Sequence, residues 1–373
     1  MYDFDKLDGD ILKELYQGLV DPQSRHELGE YYTPDWLAEL TLESIGYSGG
    51  RILDPACGSG SFLFAAARRL STTAGLKGRN LVKSVVENVI GIDVHPVAVL
   101  MTKANLLLSL KEEVAAYPEN INLQVYMADT LMTGEDREQE VLTVPVSDED
   151  EVFHIPFDTV ERGAGTLDAL IDQLCLFAER GASSPEKEKT AFEGLRKRLL
   201  TDGYGSSEIF YWQQNFRLLA KLEREQRNTV WAYILKNAYR PSYIRRDTVD
   251  YVVGNPPWLA YAFIKNEAYK RRVKELTFEH GLLEKKDRNL FTRMDTSTLF
   301  FAHSQRDFLK KTGTIAFVMP KTAMLPAKQH LRFQRRGFTK ILDLGQVTPL
   351  FNVRSCVLIR GKTNKTEAIP CSV

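Results

Sequence analysis

The sequence predicts an α/β fold: a doubly wound sheet interrupted by a large, mostly helical insertion and preceded by a helical N-terminal segment. Three observations carry this. Three short apolar strand patterns alternate with helical patterns inside about 80 residues, which reads as parallel βαβ units. That rhythm stops near residue 131 and returns near residue 248. The length, 373 residues with 43% hydrophobic and 26% charged, suits one large core or two domains.

The elements follow in order. FDKLDGDILKELYQGLV, residues 4–20, reads as an amphipathic helix. GEYYTPDWLAELTLESI opens a second helix, with Thr33 at N-cap and Pro34 at the first helical position. RILDPACGSGSFLFAAARRL is a strand, a glycine-rich turn and an Ala-rich helix; VIGIDVHPVAVLMTKANLLLSL repeats strand, turn and helix. INLQVYMADTLM is a third strand reaching Asp129. The insertion holds acidic loops (GEDREQE, SDEDE) and two helix patterns, TLDALIDQLCLFAE and the longer NFRLLAKLEREQRNTVWAYILKNA. DYVVGNPPW is the fourth strand, STLFFAHSQRDFLKK a helix and TGTIAFVMP the fifth strand; KILDLG and SCVLIRGK close the sheet. The expected domains are 1–50 (helical segment), 51–130 (first half of the α/β domain), 131–247 (insertion) and 248–373 (second half).

Composition bounds the function. Lys plus Arg equals Asp plus Glu at 49 each, so any nucleic-acid role rests on local basic patches or on a partner that supplies much of the grip. The four cysteines are scattered, without CxxC pairs or nearby histidine ligands, so neither a disulfide framework nor a metal site is expected. No apolar run approaches the roughly 20 residues that span a bilayer. The acidic N-terminus is unlike a signal peptide, so the expected location is the cytoplasm.

DPACGSGS stands where a strand hands over to a helix, and Gly58 and Gly60 permit positive φ and close backbone approach. Asp54, Asp93 and Asp129 follow three successive strands and should face one crevice, because ligands in open α/β sheets bind beyond the carboxyl ends of the strands. The acidic rim and the lack of a P-loop lysine or a third glycine disfavour a phosphate ligand. Three carboxylates suit ribose hydroxyls, amino donors and positive charge, all present in S-adenosylmethionine; the alternative is a tight turn with N-capping acids. Asn255 ends the fourth strand and faces the same crevice. Its side-chain oxygen and the Pro256 carbonyl form a rigid acceptor pair for an exocyclic amino group. Trp258 offers a stacking face to an extruded base. The plainer alternative is a Pro-Pro turn beside a core tryptophan. His95 reads as a turn residue that caps a helix.

These motifs agree, in order, with one family. GEYYTPDWLAEL resembles its G-x-[YF]-[YF]-T-P cofactor motif, ILDPACGSGSFL its D-P-x-x-G-S-G-x-F/L loop and GNPPW its N-P-P-[YF] catalytic motif. The chain resembles the amino-group DNA methyltransferases, specifically the N6-adenine methylases of restriction–modification and related phage-defence systems. The motif order resembles that of the gamma class, and LKKTGTIAFVMPKTAML is similar to the family's fifth strand. The resemblance spans roughly residues 10–130 and 245–362. It implies a Rossmann-like S-adenosylmethionine-dependent methyltransferase fold and methyl transfer to N6 of a flipped-out adenine in double-stranded DNA. Tyr32, Thr33 and Pro34 would cover the methionine end of the cofactor. Asp54, Pro55, Ala56, Cys57, Gly58 and Gly60 would hold its amino-acid part, Asp93 its ribose and Asp129 its adenine. Asn255, Pro256, Pro257 and Trp258 would form the catalytic motif. Trp258 departs from the usual Tyr or Phe, and the insertion is longer than in minimal members.

Behind the motif, IKNEAYKRRVKELTFEHGLLEKKDRNLFTRM offers Arg271, Arg272, Lys285, Lys286 and Arg288 as DNA contacts, with a solvated helix face as the alternative. No target-recognition domain is visible, so specificity is expected from a separate subunit or from sequence absent here, with the insertion as a third alternative. Rival activities are N4-cytosine methylation, methylation of RNA or of a protein glutamine, and a non-catalytic DNA-binding subunit with a vestigial fold.

Overall fold

β1 (Ile52–Asp54) is the hinge of the architecture, because the order of the strands reverses beside it. The computed structural model describes residues 32–110, 112–118, 121–132, 141–146, 151–227, 230–240, 244, 248–347, 350–351, 353–361 and 371–372. The helix expected over 4–20 and the acidic GEDREQE loop lie outside these residues. The chain divides into two compact units, Met1–Leu131 with Ile244–Val373, and Met132–Tyr243.

In the first unit, α1 (Asp35–Ser44), β1, α2 (Ser61–Thr72), α3 (Gly78–Asn88), β2 (Val89–Asp93), α4 (Pro96–Leu110) and β3 (Gln124–Met127) come before the insertion. Strands β4 (Val141–Pro145) and β5 (Val152–Pro156) belong to the insertion, with helices α5 (Ala164–Gly181), α6 (Pro185–Thr201), α7 (Ser206–Arg224) and α8 (Trp231–Ala238). After it come β6 (Val249–Gly254), α9 (Glu267–Glu279), α10 (Thr296–Asp307), β7 (Leu309–Pro320), β8 (Lys340–Asp343), β9 (Ser355–Arg360) and β10 (Cys371–Ser372).

The sheet has eight strands in the order β10-β8-β9-β7-β6-β1-β2-β3. β9 runs antiparallel to both its neighbours, β7 and β8, and the other pairings are parallel. β1 pairs with β2 through Ile52↔Val89 and with β6 through Ile52↔Tyr251. The chain winds outward from β1 in one direction and from β6 in the other, which makes their junction a topological switch point. All three residues of β1 are buried, as a central parallel strand requires. The alanines of α2 let it pack closely: Ala65, Ala66 and Ala67 join Phe62, Leu63 and Leu70 in the core with Val99 and Leu106 of α4.

Three boundaries differ from expectation. α1 begins one residue late: Pro34 is the N-cap (φ −63°, ψ 146°), and its carbonyl accepts from the N–H groups of Leu37 and Ala38. The helix expected from 297 to 311 stops at Asp307, and β7 starts at Leu309. The helix expected over 215–238 is two helices. Gln226 adopts a left-handed φ of 57°, and the Arg227 N–H bonds back to the Leu222 carbonyl, so α7 ends in a Schellman-type turn.

The second unit contains a feature the acidic composition concealed. β4 and β5 form an antiparallel hairpin, with Val141 opposite Pro156 and Pro145 opposite Val152. Asn215 of α7 clamps this hairpin, accepting from the His154 N–H at 2.8 Å and donating to the His154 carbonyl at 2.7 Å. The unit has its own core of Phe153, Ile155, Leu167, Ile171, Leu174, Trp212, Phe216 and Leu219. Among the described residues no helix is long and apolar enough to cross a membrane.

Candidate active site

A cavity of about 320 Å³ opens beyond the carboxyl ends of β1, β2, β3 and β6, at the switch point. Its size is at the lower end of the range for small-molecule sites, about 300–1,000 Å³. Three carboxylates face it, one after each of the first three strands: Asp54, Asp93 and Asp129.

Each acid is held by backbone N–H groups. Asp54 accepts from Ala56 at 3.1 Å. Asp93 accepts from Gly58 at 2.9 Å and from His95 at 2.8 Å, which ties the β1 turn to the β2 turn. Asp129 accepts from Leu131 at 2.9 Å and from the Tyr269 hydroxyl. Burial dominates the electrostatics of Asp54 and Asp93. The Asp54 carboxyl is pushed up to about 8 by burial, with the Asp93 charge adding to the effect and the Ala56 N–H opposing it. Asp93 is raised for the same first reason, against its backbone hydrogen bonds. A buried and a half-buried acid that repel each other favour a cationic ligand, which relieves both desolvation and mutual repulsion.

The glycine-rich turn is braced by α4. Thr102 donates to the Gly58 carbonyl at 2.8 Å, and Asn105 donates to the Ser59 carbonyl at 2.8 Å. Gly60 (φ 91°) does not line the cavity, and a Cβ there would lie 2.9 Å from the Thr102 side chain. Its glycine therefore serves helix packing, whereas Gly58 lines the cavity.

Asn255 and Pro257 line the opposite wall. The preceding Gly254 is dictated by proximity: a Cβ there would lie 2.6 Å from Asp54 Oδ1. The motif is fastened from behind by the start of α10. Thr296 donates to the Pro257 carbonyl at 2.6 Å and accepts from the Leu259 N–H at 3.2 Å, while its own N–H bonds to the Leu259 carbonyl. Asp295 caps α10 through the Ser297 N–H at 2.9 Å.

Of the residues expected from sequence, Tyr32, Thr33, Asp54, Pro55, Ala56, Cys57, Gly58, Asp93, Asp129, Asn255 and Pro257 line the cavity. Pro34, Gly60, Pro256 and Trp258 do not. Pro256 is buried; Trp258 is half-buried, edge-on to Phe351 at 5.1 Å between centroids and packed on the core. Aromatic rings that do line the cavity are Tyr32, Phe62, Tyr269 and Phe300. Sequence reasoning missed the parts played by Gly254, Tyr269, Thr296 and Phe300: Gly254 stands in GNPPW with no role read from it, and the other three meet the site only through the fold. One signal was available: Asn266 caps α9 by accepting from the Tyr269 N–H at 2.9 Å, and N-E-A-Y is a legible helix start.

The basic segment divides in two. Arg271, Lys285 and Arg288 are exposed and make no ion pair among the described residues. Arg272 pairs with Glu279 at 3.2 Å and Glu275 at 3.5 Å, and Lys286 with Glu284 at 2.6 Å. A cluster of metal-type donors, His280, His303 and Asp307, is buried elsewhere and does not line the cavity. Arg306 already holds both Asp307 oxygens at 3.1 and 3.2 Å, and with Arg336 it adds positive charge beside His280, so the cluster is a poor host for a cation.

The sequence matches the Eco57I restriction-modification methylase family over residues 87–351, well over half its length. The chain belongs to this family. Residues 7–148 also match the N-6 DNA Methylase family. The chain is 31% identical over 112 residues to the adenine-specific methyltransferase PglX of Streptomyces coelicolor, covering 26% of this chain and 9% of that protein. It is 36% identical over 80 residues to the type I restriction enzyme MjaIX methylase subunit of Methanocaldococcus jannaschii, covering 21% of this chain and 13% of that subunit. The chain thus matches only about a tenth of the length of these curated relatives. In fold it is similar to the type ISP restriction-modification enzyme LlaBIII bound to DNA, with a TM-score of 0.52 at 12% identity over 96% of this chain and 21% of that one. A nuclease-deletion mutant of the type ISP enzyme LlaGI with a DNA substrate mimic gives 0.50 at 13% identity, over 90% of this chain and 23% of that one.

Proposed function

We propose that this methylase-family chain transfers a methyl group from S-adenosylmethionine to N6 of an adenine flipped out of double-stranded DNA, as the modification component of a restriction–modification or phage-defence system. One observation carries the reading: Asn255 and the three strand-end carboxylates line a single cavity at the switch point of the sheet.

The donor set fits the cofactor. Buried Asp54 and half-buried Asp93 offer carboxylates to its amino-acid and ribose parts, and Asp129 accepts from its adenine amino group. Tyr32 and Thr33 close over the methionine end. Bound there, S-adenosylmethionine supplies a methyl group already activated by its sulfonium. The chain therefore needs no acid or covalent nucleophile: as the new N–C bond forms the C–S bond breaks, neutral S-adenosylhomocysteine leaves, and the surplus N6 proton passes to water. The Asn255 side-chain oxygen in the cavity wall accepts one N6 hydrogen and the Pro256 carbonyl, just behind the present lining, takes the other as the base seats, which localises the nitrogen lone pair and stabilises the positive charge that grows on it. Thr296 fixes the loop by occupying the Pro257 carbonyl, so the acceptor pair is held before substrate arrives. The rings of Tyr32, Tyr269 and Phe300 offer the extruded base a stacking surface, with Trp258 bracing the motif from behind.

DNA is gripped through exposed cations such as Arg271, Lys285 and Arg288. Target choice is supplied by a separate specificity subunit or by a recognition domain elsewhere in a longer protein. The site of action is the bacterial or archaeal cytoplasm.

The test is to express the chain with the products of its neighbouring genes, supply labelled S-adenosylmethionine and DNA, and identify the modified base by mass spectrometry. N6-methyladenine is expected. N4-methylcytosine, or label on protein or RNA alone, would overturn the reading.

A further inference from the structure

Six to eight residues beyond Asn255, the chain does something unusual for a well-packed segment. Tyr261 is wholly buried, its ring 4.5 Å from that of Phe291 and its hydroxyl 3.2 Å from that of Thr277. Two residues later Phe263 stands 72% exposed, the most exposed of the large apolar side chains among the described residues. The turn that presents it is rigid. The Phe263 N–H bonds to the Ala260 carbonyl at 2.9 Å, the Tyr261 N–H bonds to the Met294 carbonyl at 3.0 Å, and Ala260 bridges to Asp295. The same segment, through Thr296, holds the Pro257 carbonyl. Phe263 is thus fixed to the framework that positions Asn255.

Its surroundings on the chain are polar and basic. Ala262, Lys265 and Asn266 are exposed, and so is Arg271, which makes no ion pair among the described residues. A braced turn that holds a large ring in water beside the target motif keeps that ring available to a partner. Flanking cations and the adjoining target motif indicate a nucleic acid. Apolar side chains that enter a base stack unstack and kink the duplex, and extruding a base from a paired helix carries an unstacking cost of this kind.

We propose that Phe263 enters the duplex at the target step and holds open the space that the extruded adenine leaves. The proposal rests on the adenine-methyltransferase reading above. Phe263 is a positioning residue: its contribution lies in opening the helix and vanishes when the target base has no pairing partner.

The test uses the full chain with its neighbouring gene products and two duplexes carrying the site mapped from wild-type methylation. In one the target adenine is paired with thymine; in the other an abasic residue stands opposite it. Phe263→Ala should slow single-turnover methylation of the paired duplex about 10-fold or more and change the rate on the abasic duplex less than about twofold. Phe263→Trp should keep the paired rate. Thermal unfolding of both variants should match the wild type, since the ring is exposed. An unchanged rate on the paired duplex overturns the proposal. An equal loss on both duplexes also overturns it, and indicates a protein contact at Phe263 instead. A wild type that yields no N6-methyladenine from which to map a site overturns the methyltransferase reading itself.

Discussion

The two walls of the cavity solve their problems with opposite chemistry. The wall built by β1, β2 and β3 presents carboxylates; burial raises the proton affinity of Asp54, to about 8, and of Asp93. The wall built by β6 presents an amide and a proline, Asn255 and Pro257, neither of which titrates. One wall suits a ligand that carries a positive charge on arrival. The other suits a neutral amine that becomes positive only during reaction. Acceptors without formal charge can be braced in advance, as Thr296 braces Pro257, and they do not demand a counterion in the empty site.

That contrast can be broken from either side. Asn255→Ala removes an acceptor from the neutral wall alone. Turnover should fall about 100- to 1,000-fold, by analogy with the loss of one preorganised hydrogen-bonding group, while calorimetry shows cofactor affinity within about twofold of the wild type. Near-normal turnover would remove Asn255 from the reaction.

Gly254→Ala attacks the seam between the walls, because its methyl group would lie 2.6 Å from Asp54 Oδ1. Either Asp54 or the Asn255 loop must move. Both cofactor affinity and turnover should drop by at least about tenfold, since overpacking of this kind typically costs about 1–3 kcal/mol. A loss confined to turnover would mean that the carboxylate yields without consequence.

The charged wall also predicts a pH dependence that the neutral wall does not share. Below about pH 8 the Asp54 carboxyl holds its proton in the empty protein. A cationic ligand favours the ionised form, so binding releases a proton, and affinity should rise with pH up to about 8, by no more than about tenfold per unit. Asp54→Asn should flatten that rise in a calorimetric titration. Stability of the empty protein runs the other way. The unfolded carboxyl ionises near its ordinary value while the folded one stays protonated, so this group lowers stability as pH climbs from about 4 to 8.

The smallest effects concern the DNA-facing cations. Arg271→Glu should weaken DNA binding and reduce the slope of log affinity against log salt by about one unit. Arg272→Glu should do less to binding, because Glu275 and Glu279 already hold that guanidinium. Equal effects on filter-bound DNA would show that the ion pairs open on contact.

What was legible in the sequence was whatever could be written in consecutive letters. The strand–turn–helix alternation, the DPACGSG turn and GNPPW each announce themselves within ten residues, and the strands and acids lie where those patterns place them. What stayed hidden depends on meetings across the chain. Gly254 is small because of Asp54, a residue 200 positions earlier that no local pattern connects to it. Thr296 and Tyr269 reach the site by packing rather than by motif. Trp258 read as a stacking face from its neighbours alone, yet Phe351 and the core claim its ring. The hairpin of the insertion was masked because acidic residues surround its two alternating strands, and composition overrode period.

The pairing of β1 with β6 has a consequence for how the protein comes into being. The Arg51 N–H reaches the Asp250 carboxylate across 199 residues of sequence, so the central pair of strands joins parts of the chain made far apart in time. At ordinary synthesis rates of about 5–20 residues per second, the carboxylate-bearing half waits roughly ten seconds or more for its partner strand. Until then β1 has an open edge and the cavity has one wall. A nascent chain that stops short of β6 therefore lacks Asn255 and the rest of the second cavity wall, and it is the species whose exposed edge a chaperone would have most reason to cover.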